Sequence, residues 1–169
     1  MRSNKHYTNV AFTKRVDYPA GAHRPARAWR GTAVCPACGA VYVRRRWIAA
    51  SDPRAATIGA GAAARTCPAC DKAAKHQVGG YLTLQGAFAK EHRPEIEQLL
   101  KREAARALED NPVARVIGEE RTPDVLTVLT STEHLAQRLG AAVHGAYAGK
   151  IDYNFSHGEK FGRVVWRRD

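Results

Sequence analysis

The sequence predicts an α+β protein in two unequal parts: a small metal-stapled ribbon, then a β-α-β-β-α-β-β domain with two helices on one face of a mostly antiparallel sheet. Three observations predict it. All four cysteines fall in two identical turns, Cys35-Pro36-Ala37-Cys38 and Cys67-Pro68-Ala69-Cys70, with 28 residues between them. Beyond Gly79-Gly80 the apolar residues switch between a period of two and a period near 3.6, the mark of strands alternating with helices. The 169 residues have room for one full domain plus a stapled module.

Residues 1–28 carry Arg2, Lys5, Lys14, Arg15, Arg24 and Arg27 with Pro19, Gly21 and Pro25, and no sustained apolar period. They are expected to form a basic, flexible arm. His6, Tyr7, Phe12 and Tyr18 lie between the charges, a mixture suited to stacking on irregular RNA.

Residues 29–78 form the ribbon module. Arg30 precedes the first cysteine turn, and Val41-Tyr42-Val43 leaves it as a strand expected to run on through Arg44-Arg45-Arg46-Trp47. A strand alternates faces, so Arg44 and Arg46 would point one way and Arg45 the other. Residues 49–66, rich in Ala and Gly, read as an insertion, a loop or a weak short helix. Gly79-Gly80 reads as a hinge.

Residues 79–169 form the second part. Tyr81-Leu82-Thr83-Leu84 alternates as a strand does. Over 90–109, Ile96, Leu99, Leu100, Ala104, Ala107 and Leu108 recur at helical spacing, and Asn111-Pro112 ends the helix. Val113–Gly118 and Asp124–Thr130 read as a hairpin. Ser131 or Thr132 caps a second helix carrying Leu135, Ala136, Leu139, Ala142, Val143 and Ala146, with Gly149 as its stop. Lys150–Phe155 and Lys160–Arg168 close the sheet, whose other face is expected to stay open.

The cysteines decide the chemistry. A thiolate is a soft ligand, and two tight turns with two sulfurs each close one tetrahedral Zn²⁺ site with no open position. Cys35, Cys38, Cys67 and Cys70 are the expected ligands of one structural ion. The middle spacing exceeds the roughly 15–20 residues common in such motifs, which argues for an insertion. Disulfides or a redox pair are the rivals. A redox CxxC usually opens a helix, whereas Cys38 is followed by Gly39 and the alternating Val41, Tyr42 and Val43.

Charge points to the partner. There are 27 Lys and Arg against 16 Asp and Glu, a formal +11, and residues 1–50 hold ten of the basic residues with a single acid, Asp17. Such asymmetry favours a polyanion, most often nucleic acid. Lys14, Arg15, Arg27, Arg30, Arg44, Arg45, Arg46 and Trp47 are the expected RNA contacts, because guanidinium forks pair with phosphate and rings stack on bases. No apolar run approaches the roughly 20 residues of a membrane span, and the basic N-terminus lacks a secretory apolar core. A cytoplasmic protein with reduced cysteines and no membrane or small-molecule partner is expected. The chain has no G-x-S-x-G, P-loop, dinucleotide fingerprint or HExxH, so no enzymatic activity is expected.

Several stretches resemble a known family: CPACGAVYVRRRW, CPAC, GGYLTLQGAF, NPVARV, TSTEHLAQRLGAAVHGAYAGKIDY and RVVWRR. Together, from about Trp29 to Arg168, they are similar to the small bacterial relatives of the Nmd-type large-ribosomal-subunit export adaptor. Those relatives are described as affecting ribosome stability and mRNA decay. The resemblance implies a zinc-dependent protein that binds the ribosome or its RNA, with the large subunit favoured. The four cysteines match the family's metal ligands position by position, and no other residue role is carried over. Archaeal and eukaryotic members have more CxxC pairs and further domains, so export and adaptor functions are not implied. The combined expectation is a non-enzymatic factor bound to ribosomal RNA. The alternative is a zinc-ribbon DNA-binding or transcription-associated regulator.

Overall fold

Residues 29–59, 61–155 and 161–169 are described by the structure, a computed structural model of the chain. The expected arm, residues 1–28, with Lys14, Arg15 and Arg27, lies outside the described residues. Those that are described form a mixed α+β architecture with two sheets and four α-helices.

The first sheet is small. Its strands are β1 (Ala33–Val34), β2 (Val41–Val43), β3 (Arg46–Ile48) and β4 (Ala63–Ala64), in the order β3-β2-β1-β4. β1–β2 and β2–β3 are antiparallel, and β4 runs parallel to β1. The single strand expected from Val41 to Trp47 does not form. Val43 pairs with Arg46, so Arg44 and Arg45 are the two-residue tip of a hairpin. The expected insertion, residues 49–66, holds a 3-10 turn, Pro53–Thr57, and strand β4; the turn is started by Asp52, whose carboxylate accepts from the Arg54 backbone N–H at 2.9 Å. Helix α1 (Pro68–Ala74) follows β4, with Cys67 as its N-cap and Pro68 in its first turn, where a missing N–H costs nothing.

The second sheet has the order β6-β7-β5-β9-β8. Its strands are β5 (Gly80–Gln85), β6 (Val116–Arg121), β7 (Val125–Thr130), β8 (Lys150–Phe155) and β9 (Gly162–Arg167). Every ladder is antiparallel except the central β5–β9 pair. Helices α2 (Ala87–Glu91) and α3 (Arg93–Asp110) join β5 to β6, and α4 (Glu133–Tyr147) joins β7 to β8. The expected single helix over 90–109 thus breaks at His92. Pro94 cannot donate to residue 90, and its ring crowds that carbonyl. The two crossovers start from antiparallel strands and move in opposite directions across the sheet. Right-handed connections therefore put α3 and α4 on the same side.

Alternation along the strands fixes the core. Leu82, Leu84, Leu126, Val128, Val164 and Trp166 face the helices and meet Ile96, Leu100, Leu135, Leu139 and Val143. Thr132 is the N-cap of α4, accepting from the Leu135 N–H at 3.2 Å. Leu108 and Ala146, expected in the apolar stripes, are exposed. β6 begins three residues later than expected, because Val113–Arg115 is claimed by Ser131. The Ser131 hydroxyl donates to the Val113 carbonyl at 2.6 Å and accepts from the Arg115 N–H at 2.8 Å.

Gly79-Gly80 is not a hinge. Gly79 donates to the Thr130 carbonyl at 2.8 Å and accepts from the Gly162 N–H at 3.2 Å, and both glycines are buried. A Cβ on Gly79 would lie 2.3 Å from the Ser131 carbonyl oxygen, a backbone atom that cannot yield cheaply. Gly79→Ala is therefore expected to lower stability by about 2–3 kcal/mol, read from the urea midpoint; a hinge glycine would tolerate the change.

Candidate metal centre and arginine hairpin

The first knuckle folds because Cys35 and Ala40 close a tight loop. The Cys35 N–H donates to the Ala40 carbonyl at 2.8 Å, and Gly39 donates back to the Cys35 carbonyl at 2.8 Å. Gly39 sits at φ +72°, where a side chain is strained, so the glycine is a requirement of the turn. The second knuckle is the N-terminus of α1: the Cys67 sulfur accepts from the Cys70 N–H at 3.5 Å. The two knuckles meet directly, since the Cys67 N–H donates to the Cys35 sulfur at 3.3 Å.

All four sulfurs lie within 4.8 Å of one another, and no two form a disulfide. Cys38 Sγ and Cys67 Sγ are 3.7 Å apart. A tetrahedral ion with metal–sulfur bonds of about 2.3 Å would hold its ligands about 3.8 Å apart, so the set fits one four-coordinate ion. Cys35 and Cys67 are buried and Cys38 and Cys70 partly so. The electrostatics agree. Burial opposes ionisation of Cys35, yet N–H donors from Cys67, Ala37 and Cys38 and the Cys38 thiol outweigh it and bring Cys35 to about 6. Burial and the neighbouring sulfurs push Cys67 and Cys70 up. All four sulfurs could be ionised at this spacing only with a cation among them. The second CxxC does open a helix, as a redox pair would, but its sulfurs share one cluster with the first pair.

Around the four cysteines the core is thin. Ala40 and Ala69 complete the buried cluster, and Trp47 and Val113 pack against it. Val113 belongs to the loop before β6, and Lys72 of α1 donates to the Ser131 carbonyl at 2.7 Å. Sequence reasoning missed both contacts, because nothing in their spacing ties them to the cysteines.

The hairpin tip lies at the far side of β2 and β3. Arg44 and Arg45 have φ of +47° and +64°. A two-residue turn with both centres left-handed matches the twist of the strands, and Asn-Gly is its usual occupant. Arginine in this region costs about 1 kcal/mol per residue. Arg44, Arg45 and Arg46 are all exposed, as is Arg30 ahead of β1. Trp47 is half-buried, its ring tilted against Tyr42 at 5.3 Å, and Tyr42 in turn is 5.9 Å from Trp29. Tyr42 is only 9% exposed and donates to the Trp29 carbonyl, so its ring is closed to a stacking base. Arg65, not singled out from the sequence, lies 4.7 Å over the Trp29 ring; its place two residues before the second knuckle was the available signal.

Among the described residues no helix is long and apolar enough to cross a membrane. No family profile, characterised protein or solved structure matches the chain.

Proposed function

We propose that the chain is a non-enzymatic RNA-binding factor acting on the ribosome, with its ribbon folded around one structural Zn²⁺. Four thiolates in a tetrahedral set favour zinc and leave the ion no open position for chemistry. The observation that carries the RNA reading is the hairpin tip, where two exposed arginines occupy left-handed positions that Asn-Gly would fill at lower cost. Strain retained at an exposed, charged turn points to a contact made by those side chains. Guanidinium groups there engage phosphates and position the protein without reading sequence. The net charge of +11 supports a polyanionic partner, and the family resemblance favours the large ribosomal subunit.

The non-enzymatic reading is supported by the neighbours of the most suggestive polar pair. Arg138, one turn from His134, donates to the Asp110 carboxylate at 2.7 Å and approaches Glu103 at 3.7 Å, so it ties α4 to α3. Sedimentation of cell lysate through a gradient is the direct test. The protein is expected to travel with ribosomal particles at low salt and to be released as salt rises, since counterions replace its arginines. Remaining at the top of a low-salt gradient would overturn the ribosome reading. Stronger competition by duplex DNA than by structured RNA would favour a DNA-binding regulator.

A further inference from the structure

The helices cover one face of the five-stranded sheet, and the other face takes no part in the buried core among the described residues. Register places its outward side chains in rows. One row runs Asn154, Arg163, Tyr81, Leu129 across β8, β9, β5 and β7. Phe161, just ahead of β9, joins this row. Its ring meets Tyr81 edge-on at 5.4 Å, and the Arg163 guanidinium lies over it at 5.3 Å.

Three features set this row apart. Tyr81 and Phe161 are two partly exposed rings at the centre of a sheet, where apolar packing is not their role. Arg163 is exposed and meets no carboxylate among the described residues, although the next row carries Asp152 and Glu120. The outward groups nearest the rings include Asn154, Thr83 and Thr127, which are neutral hydrogen-bonding side chains, while the two acids of the next row, Asp152 and Glu120, lie at its two ends on β8 and β6. A pleated surface with two rings, a guanidinium that meets no carboxylate among the described residues, and neutral donors and acceptors beside them suits unstacked bases. Each base offers a π-face to a ring or guanidinium and a polar edge to an amide or hydroxyl.

We infer that this sheet face binds a single-stranded RNA segment, with Phe161, Tyr81 and Arg163 as its stacking platform. The inference rests on the RNA-binding reading and adds a second, chemically distinct contact to it. The arginine hairpin supplies phosphate charge, and the sheet supplies stacking. The row lies at the end of β5 where the chain arrives from the metal module.

The test uses the full chain and two probes: an oligo(U) strand of about ten nucleotides, whose bases stack weakly on one another, and a blunt RNA duplex. The Phe161→Ala/Arg163→Ala variant is expected to bind oligo(U) about tenfold more weakly and the duplex nearly as well as the parent. Phe161→Tyr keeps a ring and is expected to retain oligo(U) binding, which separates stacking from misfolding. The Arg44→Gln/Arg45→Gln variant is expected to weaken both probes and flatten their salt dependence. If the sheet variant binds oligo(U) as tightly as the parent while the hairpin variant does not, the platform is overturned and the hairpin reading stands. If only the sheet variant weakens, the platform stands and the hairpin contact falls. A change in molecular mass of the sheet variant by analytical ultracentrifugation would assign the face to a second copy of the chain and overturn the inference.

Discussion

Removing the metal with a chelator, or replacing Cys35 with Ser, is expected to unfold residues 29–78 while the five-stranded sheet keeps its structure. The strands of the first sheet are only two or three residues long, and sheets that short do not hold alone. The buried cluster beside them is Cys35, Ala40, Cys67 and Ala69, which offers little apolar area. An ion held by the four cysteines would therefore stand in for a core. Binding a structural zinc in comparable modules is worth about 10 kcal/mol or more, and that free energy is folding free energy. Cys35→Ser leaves a hydroxyl where the Cys67 N–H meets a sulfur, and it removes one of four charges from the ion. The second unit loses the Val113 packing and the bond from Lys72 to the Ser131 carbonyl, about 1 kcal/mol. Hydrogen exchange reads the outcome: amides of β1–β4 and α1 lose protection and those of β5, β7 and β9 do not. Equal loss over both units would show that they share one core. Metal analysis of the purified chain is expected to give one zinc per molecule.

Arg44→Asn/Arg45→Gly is expected to make the protein more stable and a weaker RNA binder. Both replacements suit the left-handed pair that the hairpin imposes, and the gain is about 1–2 kcal/mol. The same change removes two guanidinium groups from the exposed tip. RNA affinity at low salt is expected to fall roughly ten- to hundredfold, and the slope of log K against log salt to shallow by about 1–2. A gain in thermal midpoint with unchanged RNA affinity and slope would move the contact away from the tip. The variant separates binding from folding, because misfolding would lower stability and binding together.

The gathering of the four cysteines and the strands at Tyr81–Leu84 and Lys150–Phe155 were legible because each rests on a local pattern. Paired CxxC turns announce themselves by spacing, and alternating apolar residues announce a strand. The hairpin at Arg44-Arg45 was not legible. Its turn carries none of the Gly, Asn or Asp that normally signals one, so the run Val41–Trp47 looked continuous. Helix α1 has a usable local signal, Pro68 directly after a residue able to cap. The clamp on Gly79 depends on Ser131, some fifty residues away, and adjacent glycines look like a hinge without it. Strand order was equally hidden. Period-two patterns identify strands, but the parallel pairing of β5 with β9 is a tertiary choice.

That pairing has a consequence for synthesis. β9 sits between β5 and β8 and contributes Val164 and Trp166, both fully buried, so it is an interior strand. On a translating ribosome the cysteine knuckles emerge early and can be stitched by metal as soon as Cys70 is free. The larger unit must wait with its helices made and its middle strand β5 paired on one side only, with β7, until β9 leaves the exit tunnel. A nascent chain of this protein thus passes through a stage in which its first lobe can close while its second is still open.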